Sequence, residues 1–174
     1  PQVLFTEISC EEEVLEGMCY QKLEIEEKVQ RTEDMLKLME IEHLRKANPY
    51  DLSGGEQQRL ALAKVMVSNP DILLLDEPTK GLDPFFKQTL GRILRSLCKE
   101  NKTIFMVSHD IEFCAEFGDR CSMFFDGEIA TSGSAKEFFS GNNFYTTVEN
   151  KLTRKWCEGI ITGEEARTWI RSLL

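Results

Sequence analysis

Two adjacent carboxylates, Asp76 and Glu77, follow a run of apolar residues at 72–75. Such a run is typical of a β-strand that is buried on both faces. Because ligands of open α/β sheets bind beyond the carboxyl ends of the strands, Asp76 is a candidate ligand for Mg²⁺, directly or through water. Glu77 is a candidate to orient or deprotonate an attacking water. An ordinary charged turn would also explain the acidic pair, but it would not explain Gly81-Leu82-Asp83 shortly afterwards.

A second candidate is the pair Gly54-Gly55, which follows Ser53 at the start of a predicted helix. Glycine has no Cβ, so a ligand can approach its backbone closely. The free N–H groups and the dipole of a helix N-terminus favour an anion, and the Ser53 hydroxyl adds a donor. A simple N-cap would explain Ser-Gly-Gly alone, but the octet LSGGEQQR at 52–59 is more specific. We therefore predict a phosphate-binding helix end.

A histidine, His109, follows the predicted strand at 103–107 and lies 33 residues after Asp76. A neutral imidazole can donate to a phosphate oxygen or polarise water. A lone histidine is more often structural. Its position directly after a buried strand favours a role beside the carboxylates, provided that the two strands are neighbours.

The elements that must position these residues change character along the chain. Hydrophobic spacing and capping residues predict helices at about 10–20, 24–40, 53–67, 84–99, 110–117, 134–140, 144–157 and 163–173. Apolar runs predict strands at 72–75, 103–107, 120–125 and 128–131, the last two joined by a hairpin turn at Asp126-Gly127. Alternation of strands and helices implies a parallel sheet. We expect three parts: a helical subdomain at 1–68, an α/β catalytic portion at 69–140 and a helical extension at 141–174.

Composition excludes some classes of protein. The chain has 174 residues, 30 acidic and 21 basic side chains and a net charge of −9, which disfavours binding to nucleic acid through phosphate neutralisation. No apolar run approaches the roughly 18 residues that cross a bilayer. None of the six cysteines has C-x-x-C spacing, so no zinc site is indicated. Because the chain begins at Pro1 without Met, we expect a fragment of a longer protein.

The negative charge is concentrated at one end of the chain. Residues 1–42 contain 12 acidic and four basic side chains, a net charge of −8. Two interpretations remain open for this acidic segment, including Glu11–Glu13. It could be a solvated helical face, or it could be a docking surface for a basic partner.

The four motifs together resemble the ATP-binding cassette (ABC) ATPase family. LSGGEQQR at 52–59 is similar to the family signature, and ILLLDEP at 72–78 is similar to its Walker B strand with the catalytic glutamate. GLD at 81–83 resembles the D-loop and VSHD at 107–110 the H-loop. The resemblance implies an α/β fold: part of a P-loop NTPase with parallel strands, a helical subdomain and C-terminal helices.

The resemblance also implies a role for each matched residue. Asp76 would coordinate Mg²⁺, Glu77 would be the general base, His109 would sense the γ-phosphate, and Asp83 would communicate across a dimer interface. ATP would be held between two ATPase units. Ser53, Gly54 and Gly55 are implied to contact the γ-phosphate of the ATP on the opposite unit, and Gln57 is implied to bind the same ATP.

One family feature is missing from these residues. None of the 11 glycines is followed by Lys, so the phosphate-cradling loop G-x-x-x-x-G-K-[ST], or Walker A, does not occur in the sequence. In this family that loop would precede Pro1, and Pro1-Gln2 resembles the end of the Q-loop segment. We expect this chain alone to bind ATP poorly.

The resemblance can be narrowed within the family. Residues 48–83 look like the ATPases of energy-coupling factor (ECF) transporters, which import vitamins and metal ions, and residues 138–156 resemble the end of the tandem form. This implies a peripheral subunit at the cytoplasmic face of the cell membrane. Its partners would be a transmembrane component and a second ATPase unit, in a homodimer, a heterodimer or the same chain, and not nucleic acid.

Other functions are considered beside this one. Chromosome-maintenance ABC ATPases carry long coiled-coil insertions before the signature, whereas 52 residues precede Ser53 here. Translation-associated ABC proteins would show a charged linker after the cassette, and no such linker is seen in this sequence. A non-catalytic interaction fragment remains the alternative from a different class, although Asp76, Glu77 and His109 argue against a dead site.

Overall fold

The computed structural model describes residues 4–141 and 145–173. Its helices are α1 (Cys10–Glu16), α2 (Ile25–Leu38), α3 (Gly54–Met66), α4 (Pro84–Lys99), α5 (Ile111–Phe117), α6 (Ala135–Gly141), α7 (Val148–Thr153) and α8 (Gly163–Ser172). Its strands are β1 (Ile72–Asp76), β2 (Thr103–Val107), β3 (Arg120–Phe125) and β4 (Glu128–Ser134). Short 3₁₀ turns occupy Glu42–Leu44 and Pro49–Asp51.

The described residues form two compact units. The first unit takes in residues 1–89 and 96–107, and the second takes in 90–95 and 108–174. The first therefore contains the signature-like octet and the paired carboxylates, and the second contains His109. The division into parts at 1–68, 69–140 and 141–174 stays a prediction.

The helical portion of the first unit packs α1, α2 and α3 around a buried apolar core. Helix α1 begins after Ser9, whose side chain accepts a hydrogen bond from the Glu12 N–H as the capping pattern predicts. The helix ends at Glu16, earlier than predicted, and Gly17 follows. A Cβ at Gly17 would lie 2.2 Å from the carbonyl oxygen of Lys64, so α1 ends where its backbone meets α3. The core side chains of this portion with exposures of 0–1% are Cys10, Val14, Met18, Leu36, Met39, Ile41, Leu60 and Ala63.

The predicted parallel sheet is confirmed for two strands. Strands β1 and β2 pair in parallel, with Leu74 opposite Phe105 and Asp76 opposite Val107. The predicted hairpin is also confirmed, because β3 pairs antiparallel with β4. The expectation that β3 is a third strand of the parallel sheet is wrong, because β3 and β4 form a separate sheet. The two-residue turn at Asp126 and Gly127, with φ of 50° and 82°, makes that pairing local.

Strand β1 is not buried on both faces, which corrects the expectation drawn from its apolar run. Leu73 is buried, but Leu74 is 73% exposed, and its sheet neighbour Phe105 is 64% exposed. Ile72 and Val107 lie on the same face and are also exposed. The described residues therefore leave one apolar face of the β1–β2 sheet uncovered.

The second unit packs helices around the β3–β4 hairpin. Its buried cluster consists of Ala115, Ala135, Phe139 and Ile161. Helix α7 covers Val148–Thr153 and is shorter than the predicted 144–157. Thr147 caps its first turn, and residue 144 lies outside the described residues. Helix α8 begins with the predicted capping box of Thr162 and Glu165. None of the helices in the described ranges has the length and apolarity needed to cross a membrane.

Basic residues from later in the chain neutralise part of the acidic segment. Glu11 pairs with Arg45 at 2.9 Å and also with Lys46. Glu13 has no exposed surface and pairs with Lys64 at 2.6 Å. Glu11 and Glu13 are therefore engaged within the chain, so reversing their charge would disturb the fold. They do not form a free docking surface.

Candidate functional site

The paired carboxylates lie where β1 ends, beside the end of β2. Asp76 is the last residue of β1, and its side chain is exposed. The next residue, Glu77, has φ of 48°, in the left-handed region that non-glycine residues rarely adopt. Its N–H donates to the carbonyl oxygen of Val107 at 2.8 Å. This bond fixes both carboxylates at the carboxyl edge of the parallel strands, as the sequence predicts.

The donor set at this edge can hold Mg²⁺ only in part. No group of three or more His, Cys, Asp or Glu side chains in the described residues is arranged to bind a metal by itself. Mg²⁺ usually takes one or two protein carboxylates and completes its octahedron with water and substrate phosphates. An exposed Asp76 followed by Glu77 fits such a partial site, with a nucleotide supplying further ligands.

The signature-like octet begins helix α3 with a complete capping box. The Ser53 Oγ accepts from the Glu56 N–H at 3.4 Å, and a Glu56 carboxylate oxygen accepts from the Ser53 N–H at 2.8 Å. The Ser53 hydroxyl also donates to that carboxylate at 2.6 Å. These hydrogen bonds from the Ser53 side chain and N–H hold the pKa of Glu56 below its ordinary value, so the helix begins with a carboxylate. The Ser53 hydroxyl would have to leave Glu56 to donate to a phosphate.

The two glycines of the octet meet different surroundings. A Cβ on Gly54 would contact nothing within 4 Å, so its backbone faces open space that a ligand can enter. A Cβ on Gly55 would lie 2.8 Å from the carbonyl oxygen of Gly81. Gly81 itself has φ of 77°. Gly55 and Gly81 are therefore required for the close packing of α3 on the loop that follows Glu77, whereas Gly54 lies at the open helix end.

Gln57 of α3 contacts the 3₁₀ turn at Pro49–Asp51. Its side chain is buried, with 6% exposure, and its Nε2 donates to the carbonyl oxygen of Pro49 at 3.1 Å. This hydrogen bond ties α3 to the 3₁₀ turn at Pro49–Asp51, which leads into the octet. The bond was not predicted from the sequence, and contact between Gln57 and ATP stays a prediction.

Asp83 has a structural role at the start of α4, and its predicted role at a dimer interface stays a prediction. Its carboxylate caps α4 by accepting from the N–H groups of Phe85 and Phe86, both at 3.0 Å. The same carboxylate accepts from the guanidinium of Arg59 at 2.5 Å. The hydrogen bond from the Phe86 N–H, together with the nearby Arg59 charge, holds the pKa of Asp83 below its ordinary value. Sequence reasoning placed Arg59 in the octet but gave it no role.

His109 belongs to the second compact unit, two residues beyond the end of β2. Its side chain is exposed. The following residue, Asp110, caps α5 by accepting from the Phe113 N–H at 3.1 Å, and its own N–H donates to Ser108. The start of α5 thus fixes the backbone on both sides of His109. Its predicted place beside Asp76 and Glu77 stays a prediction.

Comparison with known sequences decides the family. The model of the family described as "ABC transporter" matches residues 2–80, which include the octet and the paired carboxylates. The chain belongs to the ABC transporter ATPase family. An ABC transporter ATP-binding protein of Bacillus cereus is 50% identical over 133 residues, which are 76% of this chain and 24% of that protein. The ECF transporter ATP-binding protein EcfA3 of Oenococcus oeni is 37% identical over 123 residues, covering 69% of this chain and 43% of EcfA3.

Solved structures agree with the family and confirm the fold class. CbiO1 of Clostridium perfringens, described as part of the ABC transporter complex CbiONQ, is 30% identical with a TM-score of 0.71, covering 90% of this chain and 61% of CbiO1. The ATP-binding cassette MJ0796, solved as a dimer bound to ADP and Pi, is 31% identical with a TM-score of 0.70, covering 76% of this chain and 59% of that one. The described helices and parallel strands fit part of the P-loop NTPase fold of such cassettes.

The chain spans about a quarter of the length of the Bacillus relative and less than two thirds of each of the others. Members of this ABC ATPase family bind and hydrolyse ATP.

Proposed function

We propose that this chain supplies the signature, Walker B, D-loop and H-loop portion of the ATP-hydrolysing subunit of an ECF-type importer. The observation that carries the proposal is the pair Asp76 and Glu77, fixed by β2 at the carboxyl edge of the parallel strands. In the same unit, Gly55 of the signature packs on the loop that follows this pair. The similarity to EcfA3 and CbiO1 supports the ECF assignment.

In this proposal each residue at the carboxyl edge has one task. Asp76 holds Mg²⁺, which when bound neutralises phosphate charge and orients the phosphates. Glu77 accepts a proton from the water that attacks the γ-phosphate, and it lies directly after β1 with its backbone in the left-handed region. His109 donates a hydrogen bond to the γ-phosphate and so distinguishes ATP from ADP.

The start of α3 contributes to the ATP site of a second ATPase unit. The N–H groups of Gly54 and Gly55 and the Ser53 hydroxyl meet the γ-phosphate, aided by the dipole of a 13-residue helix. Gln57 supports this helix end through its hydrogen bond to the turn at Pro49. Asp83 transmits the state of one site to the other. The dimer of MJ0796 with ADP and Pi supports this two-unit arrangement.

The uncovered apolar face of the β1–β2 sheet supports a larger assembly. In this proposal, the remaining strands of a complete cassette, together with its phosphate-cradling loop, cover Leu74 and Phe105. The complete ATPase associates with the cytoplasmic face of the membrane through a transmembrane component, and ATP turnover drives uptake. Without the phosphate-cradling loop, the 174-residue chain binds ATP weakly.

The test is Glu77→Gln in the complete ATPase, with steady-state hydrolysis and retention of labelled ATP as readouts. We expect turnover to fall by about 100-fold or more, because a general base contributes roughly that factor. ATP binding should persist, since the substitution keeps the shape of the side chain. Glu26→Gln, on an exposed residue of α2, is the matched control and should turn over normally. Hydrolysis unchanged by Glu77→Gln would reject the base assignment.

The importer assignment needs a separate measurement. Vesicles that contain the transmembrane component and the complete ATPase should accumulate a labelled vitamin or metal ion when ATP is present. The Glu77→Gln variant should abolish this accumulation while the Glu26→Gln control keeps it. ATP-dependent export from the same vesicles would contradict the importer direction without contradicting ATP hydrolysis.

A further inference from the structure

Arg59 lies in the second turn of α3 and contacts two other segments of the first unit. Its side chain is only 16% exposed. The guanidinium donates to the Asp83 carboxylate at 2.5 Å and to the Glu40 carboxylate at 3.3 Å. It also stacks over the ring of Phe86, with 3.8 Å between the guanidinium carbon and the ring centroid. One side chain thus joins the signature helix, the turn after α2 and the start of α4.

Two further contacts join α3 to the same loop. The Nε2 of Gln58 donates to the carbonyl oxygen of Pro78 at 3.2 Å. Gly55 packs so closely on Gly81 that a Cβ would lie 2.8 Å from its carbonyl oxygen. Together with Arg59, these contacts fasten the first two turns of α3 along residues 78–86. This stretch runs directly from the paired carboxylates to the start of α4.

Arginine is suited to this position by its shape as well as its charge. A planar guanidinium can donate in a fixed fork and stack on an aromatic face at the same time. Lysine would keep the charge but could not reproduce both contacts. Asp83 is also held independently, because it keeps its hydrogen bonds from Phe85 and Phe86 whether or not Arg59 is present. Loss of Arg59 would therefore loosen α3 from the loop while leaving α4 capped.

We propose that Arg59 is a positioning residue of the composite ATP site, which holds the phosphate-binding end of α3 and the Gly81–Asp83 loop in one fixed geometry. The proposal rests on the proposed function of these two elements. Arg59 acts through Gly54, Gly55 and Asp83, and the paired carboxylates remain in place without it. Its loss should therefore weaken the contact between α3 and the ATP in the site of the second unit more than it slows the chemical step.

The test uses the complete ATPase with Arg59→Ala and Arg59→Lys. We expect Arg59→Ala to raise the KM for ATP by about tenfold and to change kcat by less than about threefold, since misplacement of a positioning group is felt in binding. The cooperativity of hydrolysis in ATP should fall. Arg59→Lys should give an intermediate KM. Arg31→Ala is the matched control, because Arg31 makes an exposed pair with Glu27 on α2, and its KM should be unchanged.

A double-mutant cycle with Asp83→Asn separates positioning from general damage. Asparagine remains a good N-cap, so α4 should keep its cap while the ion pair to Arg59 is lost. We expect Asp83→Asn to raise the KM as well, and the double variant to be no worse than Arg59→Ala alone. Additive effects, or an unchanged KM in both Arg59 variants, would overturn the proposal. If Arg59→Ala fails to fold, an unchanged KM in both Arg59→Lys and Asp83→Asn would overturn it.

The two proposals fail in different ways. If Glu77→Gln leaves hydrolysis intact, the proposed function fails regardless of Arg59. If Glu77→Gln abolishes turnover but Arg59→Ala and Arg59→Lys leave the KM unchanged, only the positioning role fails.

Discussion

Helix α3 has an ion pair near each of its ends, and the two pairs differ in exposure. Near its start, Arg59 meets an Asp83 side chain that is 49% exposed. Near its end, Lys64 meets Glu13, which has no exposed surface. Lys64 also bonds the carbonyl oxygen of Leu4 at 2.7 Å, while Glu13 accepts from backbone N–H groups at Thr6 and Glu7. The buried pair thus ties residues 4–7 to α3.

The comparison separates stability from function along one helix. A buried pair is costly to break, because the remaining charge has no water to solvate it. A partly exposed pair contributes less stability, because water and salt screen it. We therefore expect the end of α3 to fix the fold, while the start of α3 determines how the proposed phosphate-binding end is presented.

The largest expected effect is the loss of the buried pair. Lys64→Met should lower the free energy of unfolding by about 3 kcal/mol, because Glu13 is left charged and buried. Urea denaturation of the variant and the original protein measures the difference. Lys37→Met is a matched control, since Lys37 makes an exposed pair with Glu42 at 3.7 Å. Equal stability of both variants would show that the buried pair does not fix the fold.

An intermediate effect is expected at the start of α3. Gly55→Ala should destabilise the protein by about 1–3 kcal/mol, because the new methyl group collides with the carbonyl oxygen of Gly81. Gly54→Ala should change stability by less than about 1 kcal/mol, because nothing lies within reach of its Cβ. Thermal denaturation compares the two. Similar melting temperatures would contradict the close packing of α3 on the Gly81 loop.

The smallest expected effect is a difference in pH dependence between the two ends. The Ser53 hydroxyl and N–H lower the pKa of Glu56 from 4.5, so its contribution to stability is present above pH 4.5 and is lost as pH falls through the lowered pKa. Burial lowers the pKa of Lys64, but bonds to Glu13 and Glu16 raise it above 10.5 overall. The Lys64 contribution is therefore lost only as pH rises through that raised pKa.

Denaturation of the Glu56→Gln variant between pH 3 and 6 checks this difference. Since glutamine cannot titrate, the stability gap between the original protein and the variant should close toward pH 3. A gap that stays constant would mean that the Glu56 carboxylate adds nothing to the cap. Lys64 stays charged between pH 3 and 6, so its own titration should not change the stability gap between the original protein and Lys64→Met in this range.

Local signals predicted much of the fold. Capping boxes at Ser53 and Thr162 placed the starts of α3 and α8, and apolar runs placed β1 and β2. Because Asp76 and Glu77 follow the apolar run of β1, the sequence also predicted that both lie at the carboxyl edge of these strands. Burial was predicted less well, because an apolar run such as β1 does not reveal which of its faces the described residues cover.

Contacts between distant residues could not be predicted in this way. Glu13 and Lys64 are 51 positions apart, and Arg59 and Asp83 are 24 apart. No periodicity links such pairs, because they are set by how the helices pack. The same limit hid the difference between Gly54 and Gly55, since their adjacent positions do not show which one faces Gly81. The hairpin signal at Asp126-Gly127 correctly predicted the pairing of β3 with β4, but strand–helix alternation wrongly predicted that β3 joins the β1–β2 sheet.

The left-handed backbone at Glu77 has an evolutionary consequence. A non-glycine residue in this conformation carries a strain of roughly 1 kcal/mol or more, which glycine would relieve and asparagine would reduce. Selection for thermal resistance alone would therefore favour Glu77→Gly or Glu77→Asn and discard the carboxylate. Under the proposed function, a population that retains glutamate at this position despite the strain is being selected for turnover.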